Sequence, residues 1–248
     1  MDLKLDRRRI LVTGGSGGIG SAICEALSSE GCEVLIHYNR NPEAAERLKG
    51  KIRAAGGNAE VIGLDLQELG QLGSMVEETG AGGNLDGLVN CAGVYEDEGM
   101  EDITENQWNR VLNINLKAPV FLTQQIRKIL NNGSSIVNVS SVMGLRATKF
   151  GLAYQAAKSS LIHVTRSMAL SYAPDVRVNC IAPGYVTTEM NRDGWENEDF
   201  RKKIEYVTPM GRWGAPADIG PLAVFLLSPV SSFVTGSLFP VDGGIGIR

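Results

Sequence analysis

Short apolar runs recur along the chain, and longer stretches of helical periodicity separate them. The runs fall at residues 9–13, 33–38, 59–64, 86–90, 136–140, 176–182 and 237–241. Each is strand-length, and most are apolar without a polar alternate. That pattern fits strands covered on both faces, as in a parallel sheet. Between them, residues 19–29, 42–55, 104–132, 152–173 and 217–227 carry apolar positions at helical spacing. Pro42 stands near a helix start, and Gly56-Gly57 follows that helix. Strand–helix alternation predicts an α/β fold: one Rossmann-like, doubly wound parallel sheet of about seven strands with helices on both faces. No repeat or linker divides the chain, so residues 1–248 are expected to form one domain.

Three local patterns carry chemistry. Gly14, Gly18 and Gly20 lie between the first strand and the first helix, with Ser16 and Ile19 in the same turn. Gly14 permits a tight turn, Gly18 lets backbone approach a pyrophosphate, and Gly20 brings helix and sheet together. Tyr154 and Lys158, four apart, share a helix face. An ammonium there should lower a phenol that otherwise titrates near ~10. Thirteen residues upstream Ser141 ends a strand, and alternation turns it away from Ser140. Together these describe carbonyl–alcohol redox chemistry with a nicotinamide dinucleotide. The second strand ends in His37, Tyr38, Asn39 and Arg40, with no acid to hold a ribose 2′-hydroxyl. Arg40 can meet a 2′-phosphate, so NADP(H) is favoured over NAD(H); a solvated loop charge is the bland alternative.

These residues, in this order, resemble the short-chain dehydrogenase/reductase family, and most of all its 3-oxoacyl-[acyl-carrier-protein] reductase-type members. The likeness runs from about Arg9 to Gly244. It implies a catalytic set of Asn115, Ser141, Tyr154 and Lys158, with Asn113 the alternative for the first. It also implies cofactor contacts from Asp65, Leu66, Asn90, Ala92 and Gly93. Later in the chain it adds Pro183, Gly184, Val186 and Thr188. Asp65 is equally readable as an N-cap for the next helix. The resemblance implies a substrate lid at about 186–212, and a homotetramer built partly on the small residues Ala153, Ala156 and Ala157. The implied substrate is a 3-oxoacyl thioester, with acyl carrier protein as a partner. A small sugar, polyol or ketone is the alternative. A non-catalytic dinucleotide-binding regulator is disfavoured by the intact Ser141, Tyr154 and Lys158. Two positions depart from the family pattern: Gly17 replaces a basic residue, and Cys91 follows Asn90.

Composition narrows this little. Hydrophobic residues make up 43% and charged residues 21% of the 248, ordinary for a globular chain. A formal charge of -4 disfavours nucleic-acid and anionic-membrane partners. No 18-residue apolar run and no N-terminal signal pattern occur, so the cytoplasm is the expected location. The four cysteines lack C-x-x-C spacing and read as free buried thiols; the two histidines suggest no metal site. Glu96, Asp97, Glu98, Glu101 and Asp102 form an acidic loop, expected to be a solvated face that disfavours an acidic carrier protein.

Overall fold

A computed structural model describes residues 2–247. Seven strands form one sheet in the order β3-β2-β1-β4-β5-β6-β7. The strands are β1 (Arg9–Thr13), β2 (Glu33–Tyr38), β3 (Asn58–Gly63), β4 (Leu85–Asn90), β5 (Leu130–Val139), β6 (Val176–Pro183) and β7 (Leu238–Val241). Every neighbouring pair is parallel. The expected doubly wound sheet is therefore what the chain builds.

Strand alternation explains the two-sided core. Ile10, Val12, Val34 and Ile36 enter one cluster, shared with Ile23 and Leu27 of α1 (Gly18–Ser29), Leu48 of α2 (Pro42–Ala54) and further buried side chains. Leu11, Leu35 and Leu88 face the opposite way. They pack with Met75 of α3 (Leu72–Ala81) and with helices that follow β4. Both faces are buried, so the strand sequences carry little polar alternation.

The helix expected over 104–132 is three pieces. Thr104 caps α4 (Glu105–Leu112) in a reciprocal box with Gln107. A wider π-helical turn, Asn113–Lys117, follows, and then α5 (Ala118–Ile126). Pro119 has no N–H to give the Asn115 carbonyl, so regular helix cannot run through. Asn115 Nδ2 instead donates to the Val111 carbonyl at 3.0 Å, which fixes the side chain inward. β5 then begins at Leu130, earlier than expected, because its polar first half still pairs with β4 and β6.

Helix α6 (Leu152–Tyr172) carries Tyr154 and Lys158. Ala153 and Ala157 are buried within the chain itself. They do not form the outward small-residue face expected of an interface. After β6 come α7 (Arg192–Glu196), α8 (Glu198–Val207) and α9 (Gly220–Leu227). No helix among the described residues is long and apolar enough to cross a membrane.

Asn179, fully buried on β6, holds the sheet edge. Its Nδ2 donates to the Val234 carbonyl at 2.8 Å, and its Oδ1 accepts from the Ser237 amide at 3.1 Å. Asn179→Ala strands both backbone groups, a loss of about 2 kcal/mol. A thermal melt should show Tm lower by about 5 °C.

Candidate active site

The carboxyl ends of the strands meet in a long cleft, with a cavity of about 390 Å³ along its dinucleotide-facing half. Its floor is the glycine turn. Gly14 has φ +63°, and a Cβ on Gly20 would stand 2.2 Å from the Gly14 carbonyl oxygen. Only glycine fits at Gly20. At the start of α1, Gly17 offers no side-chain cap and the first turn holds no acid. Its amides are thus open to an anion. A Cβ on Gly18 would meet Thr188 Cγ2 at 2.8 Å, so the segment after β6 closes directly over the turn.

His37 ties this turn to the sheet. Its Nδ1 accepts from the Gly14 amide at 3.1 Å, while Nε2 lies 3.0 Å from the Leu64 carbonyl. The ring is neutral: burial pushes it down to about 4. Thr13 Oγ1 accepts from the Cys91 and Ala92 amides at 3.0 and 3.1 Å and shapes the loop after β4.

Most of the expected cofactor residues line this cleft: Ser16 and Ile19 in the turn, Asn39 and Arg40 after β2, Asp65 and Leu66 after β3, and Ala92 and Gly93 after β4. From β6 onward Pro183, Gly184, Val186 and Thr188 complete it. Two stand back. The Tyr38 ring lies against Gly63, and Asn90 is buried, donating to Thr123 Oγ1 and Asn138 Oδ1. Asp65 is not a helix cap. Its Oδ1 accepts from the Gln67 amide in a local turn, and α3 starts only at Leu72.

At the far end stand the catalytic candidates. Lys158 is 4% exposed; its Nζ donates to the Val139 carbonyl at 2.8 Å and lies 5.5 Å from the Tyr154 ring centre. Ser140 Oγ donates back to the Lys158 carbonyl at 2.7 Å, which locks α6 to the end of β5. Ser140 is thereby an anchor. Ser141, its Oγ accepting from the Met143 amide, faces the cleft with Tyr154, as alternation predicts. Asn115 Oδ1 would lie 2.7 Å from a Cβ on Gly93, so that glycine makes room for it. Asn115 is fully buried, whereas Asn113 is only partly so.

The proton affinities differ from the sequence expectation. Burial pushes the Tyr154 phenol up to about 12, and the Ser141 hydroxyl works against that rise. Burial also pushes Lys158 down to about 8. Burial is the leading cause of both shifts, and each favours the neutral form. Burial likewise pushes Cys91 up to about 11, so it is an unreactive wall residue.

A second cavity of about 590 Å³ opens beyond Tyr154. Ser141 and Tyr154 belong to both cavities. Its walls hold residues that no sequence motif signals. Tyr95 stands edge-on to Tyr154, with ring centres 5.2 Å apart, and its hydroxyl donates to Asp97. Tyr185 packs edge-on against Trp213 at 5.3 Å and Phe200 at 6.1 Å. The acidic loop is the solvated face expected only in part: Asp97, Glu101 and Asp102 are exposed, while Glu96 and Glu98 turn inward. Glu96 pairs with Arg110, Glu98 accepts from Gln107, and the Glu98 carbonyl takes the Gly151 amide at 3.1 Å.

The profile of a family described as "Enoyl-(Acyl carrier protein) reductase" matches residues 14–246. The chain belongs to the short-chain dehydrogenase/reductase family. Members bind NAD(P), and the family membership makes this chain an NAD(P)-dependent oxidoreductase. It is 37% identical over 244 residues to an acetoacetyl-CoA reductase of Allochromatium vinosum, covering 96% of this chain and 98% of that one. It is 31% identical over 240 residues to a 2-dehydro-3-deoxy-D-gluconate 5-dehydrogenase of Dickeya dadantii, covering 94% and 93%. Among solved structures, an NAD(P)-dependent gluconate 5-dehydrogenase assignment from Beutenbergia cavernae, with NADP bound at low occupancy, superposes with TM-score 0.94. Identity there is 31%, and both chains are covered fully. Among the described residues no group of three or more His, Cys, Asp or Glu is placed to hold a metal.

The buried His37 gives the oxidoreductase a pH signature. Between about pH 4 and the ordinary histidine value near ~6.5, the unfolded chain binds a proton that the folded chain excludes. Stability therefore falls as pH drops through that window. In His37→Asn, denaturation midpoints followed from pH 7 to 4 should decline less steeply.

Proposed function

We propose that this chain is an NADPH-dependent carbonyl reductase acting on an uncharged ketone of the 3-oxoacyl thioester type. The observation that carries the reading is the meeting of the two cavities at Ser141 and Tyr154. One cavity has the glycine floor and open helix amides that suit a pyrophosphate; the other is free for substrate. The dinucleotide would be held by the glycine turn, Asp65, Lys158, Val186 and Thr188, with Arg40 on the 2′-phosphate. When bound, its nicotinamide supplies the hydride.

The chain's own groups do the rest. The Ser141 and Tyr154 hydroxyls hydrogen-bond the carbonyl oxygen and stabilise the charge that develops there. Tyr154 gives its proton to that oxygen. A phenol pushed up to about 12 rests protonated, which suits a donor and hence reduction. Lys158, pushed down to about 8, exchanges protons near neutral pH and can restore the one Tyr154 gives up. Asn115, buried beside Gly93, would continue that path. Helices α7 and α8 act as the lid.

Substrate class rests on the wall of the second cavity. Its cation, Arg192, is already engaged by Glu189 and Glu196. Asp97, Glu189 and Asp193 line the same space. A substrate carboxylate therefore finds carboxylates facing it, whereas a neutral ketone does not. The same carboxylates can accept hydroxyl hydrogen bonds, and this favours the second reading, dehydrogenation of a polyol. A homotetramer is part of the proposal, supported by Leu170 and Phe121 standing exposed on α6 and α5.

Tyr154→Phe should lower kcat at least about 10³-fold with NADPH affinity retained; a variant keeping more than about a tenth of the wild-type rate would remove Tyr154 from the mechanism. Arg40→Asp should weaken NADPH binding about tenfold or more and leave NADH binding nearly unchanged. Fluorescence titration with each nucleotide reads both numbers, and equal losses would take Arg40 off the phosphate.

A further inference from the structure

A third cavity, about 430 Å³, lies beside the substrate space. The two share Val142, Met143 and Tyr185. Tyr185 is the partition. Phe200 and Trp213 hold its ring edge-on, and its hydroxyl feels Asp97 from the reacting side and Arg146 from the far side. Beyond it the wall is aliphatic: Ile204 and Val207 of α8, and Ile245 near the chain end. Ile204 and Ile245 are each 5% exposed, so the floor is built from buried side chains and not from loose surface. Arg146 donates to the Ile245 carbonyl and draws that terminal segment over the groove. Ala147 and Thr148 form the open side.

We propose that this groove is a chain-length subsite, which receives an unbranched aliphatic tail attached to the carbonyl carbon reduced at Tyr154. The inference rests on the carbonyl-reductase reading for the reacting end. The tail follows from the wall: largely aliphatic apart from Arg146, Thr148 and Tyr185, adjoining the substrate cavity across three shared side chains, and free of carboxylates. Sugars and polyols would gain little there, because Arg146 and Thr148 already donate to the Ile245 and Phe150 carbonyls.

The test uses straight-chain 2-alkanones of four to ten carbons, titrated calorimetrically against the full chain with NADP⁺ present. Each methylene that enters the groove should tighten binding by up to about fourfold. At least a tenfold gain is expected between the four- and ten-carbon ketones. Ala147→Trp fills the open side and should cut that ratio below about threefold. Val207→Phe narrows the groove from α8 and serves as the second variant if the first fails to fold. A flat series in the wild-type protein overturns the subsite, as does a ratio unchanged in both variants. NADPH oxidation with the same ketones is scored separately. Chain-length-dependent binding without turnover would sink the reductase reading alone, and turnover with a flat series would sink the subsite alone.

Discussion

An ammonium held away from water is the constraint around which this site is built. Lys158 is nearly inaccessible, and a buried charge is tolerated only where hydrogen bonds meet it. The chain meets it with the carbonyl of Val139, at the end of the most deeply buried run of β5. That one bond sets the height of α6 on the sheet. The reciprocal bond from Ser140 to the Lys158 carbonyl fixes its rotation. Once α6 is so placed, Tyr154 one turn earlier must overhang the strand end, and Ser141 must face it. The meeting of Tyr154 and Ser141 is a by-product of satisfying a lysine.

The same burial acts on the proton affinities around that lysine. Burial moves Tyr154 and Lys158 each toward its neutral form. The sequence suggested the opposite sign, because spacing reports that two groups are close but not how much water they have lost. Here water loss is the leading cause of both shifts.

Much of the fold was legible because parallel strands covered on both faces read as unbroken apolar runs. The glycine turn was legible too, since Gly14, Gly18 and Gly20 have few substitutes in that geometry. What escaped was polar or assembled at a distance. Residues 130–132 belong to β5 but look like a helix tail, since Ile126, Ile129 and Leu130 keep helical spacing. Helix α3 hid its buried stripe of Leu72, Met75, Val76 and Thr79 among glycines and acids. The walls of the second cavity draw Tyr95, Tyr185, Phe200 and Trp213 from four separate segments, and no motif joins them, although Phe200 and Trp213 lie in or beside the expected lid. The acidic loop was legible as a solvated face at Asp97, Glu101 and Asp102, but counting carboxylates does not show that Arg110 and Gln107 engage Glu96 and Glu98.

Gly151, which begins α6, is fixed as glycine twice over. Its φ is +69°, and a Cβ there would sit 2.7 Å from the Tyr95 ring. Its amide also bonds the Glu98 carbonyl, and Phe150 bridges to Gly99. The loop that borders the second cavity and the helix that bears Tyr154 are thus joined at one point. A lineage cannot remodel the first without disturbing the second. Swapping that loop alone, as a chimera would, is expected to fail, while transplanting residues 95–99 together with 150–154 keeps the joint whole. On the proposed function, the α7–α8 side of the cavity is the side free of that joint.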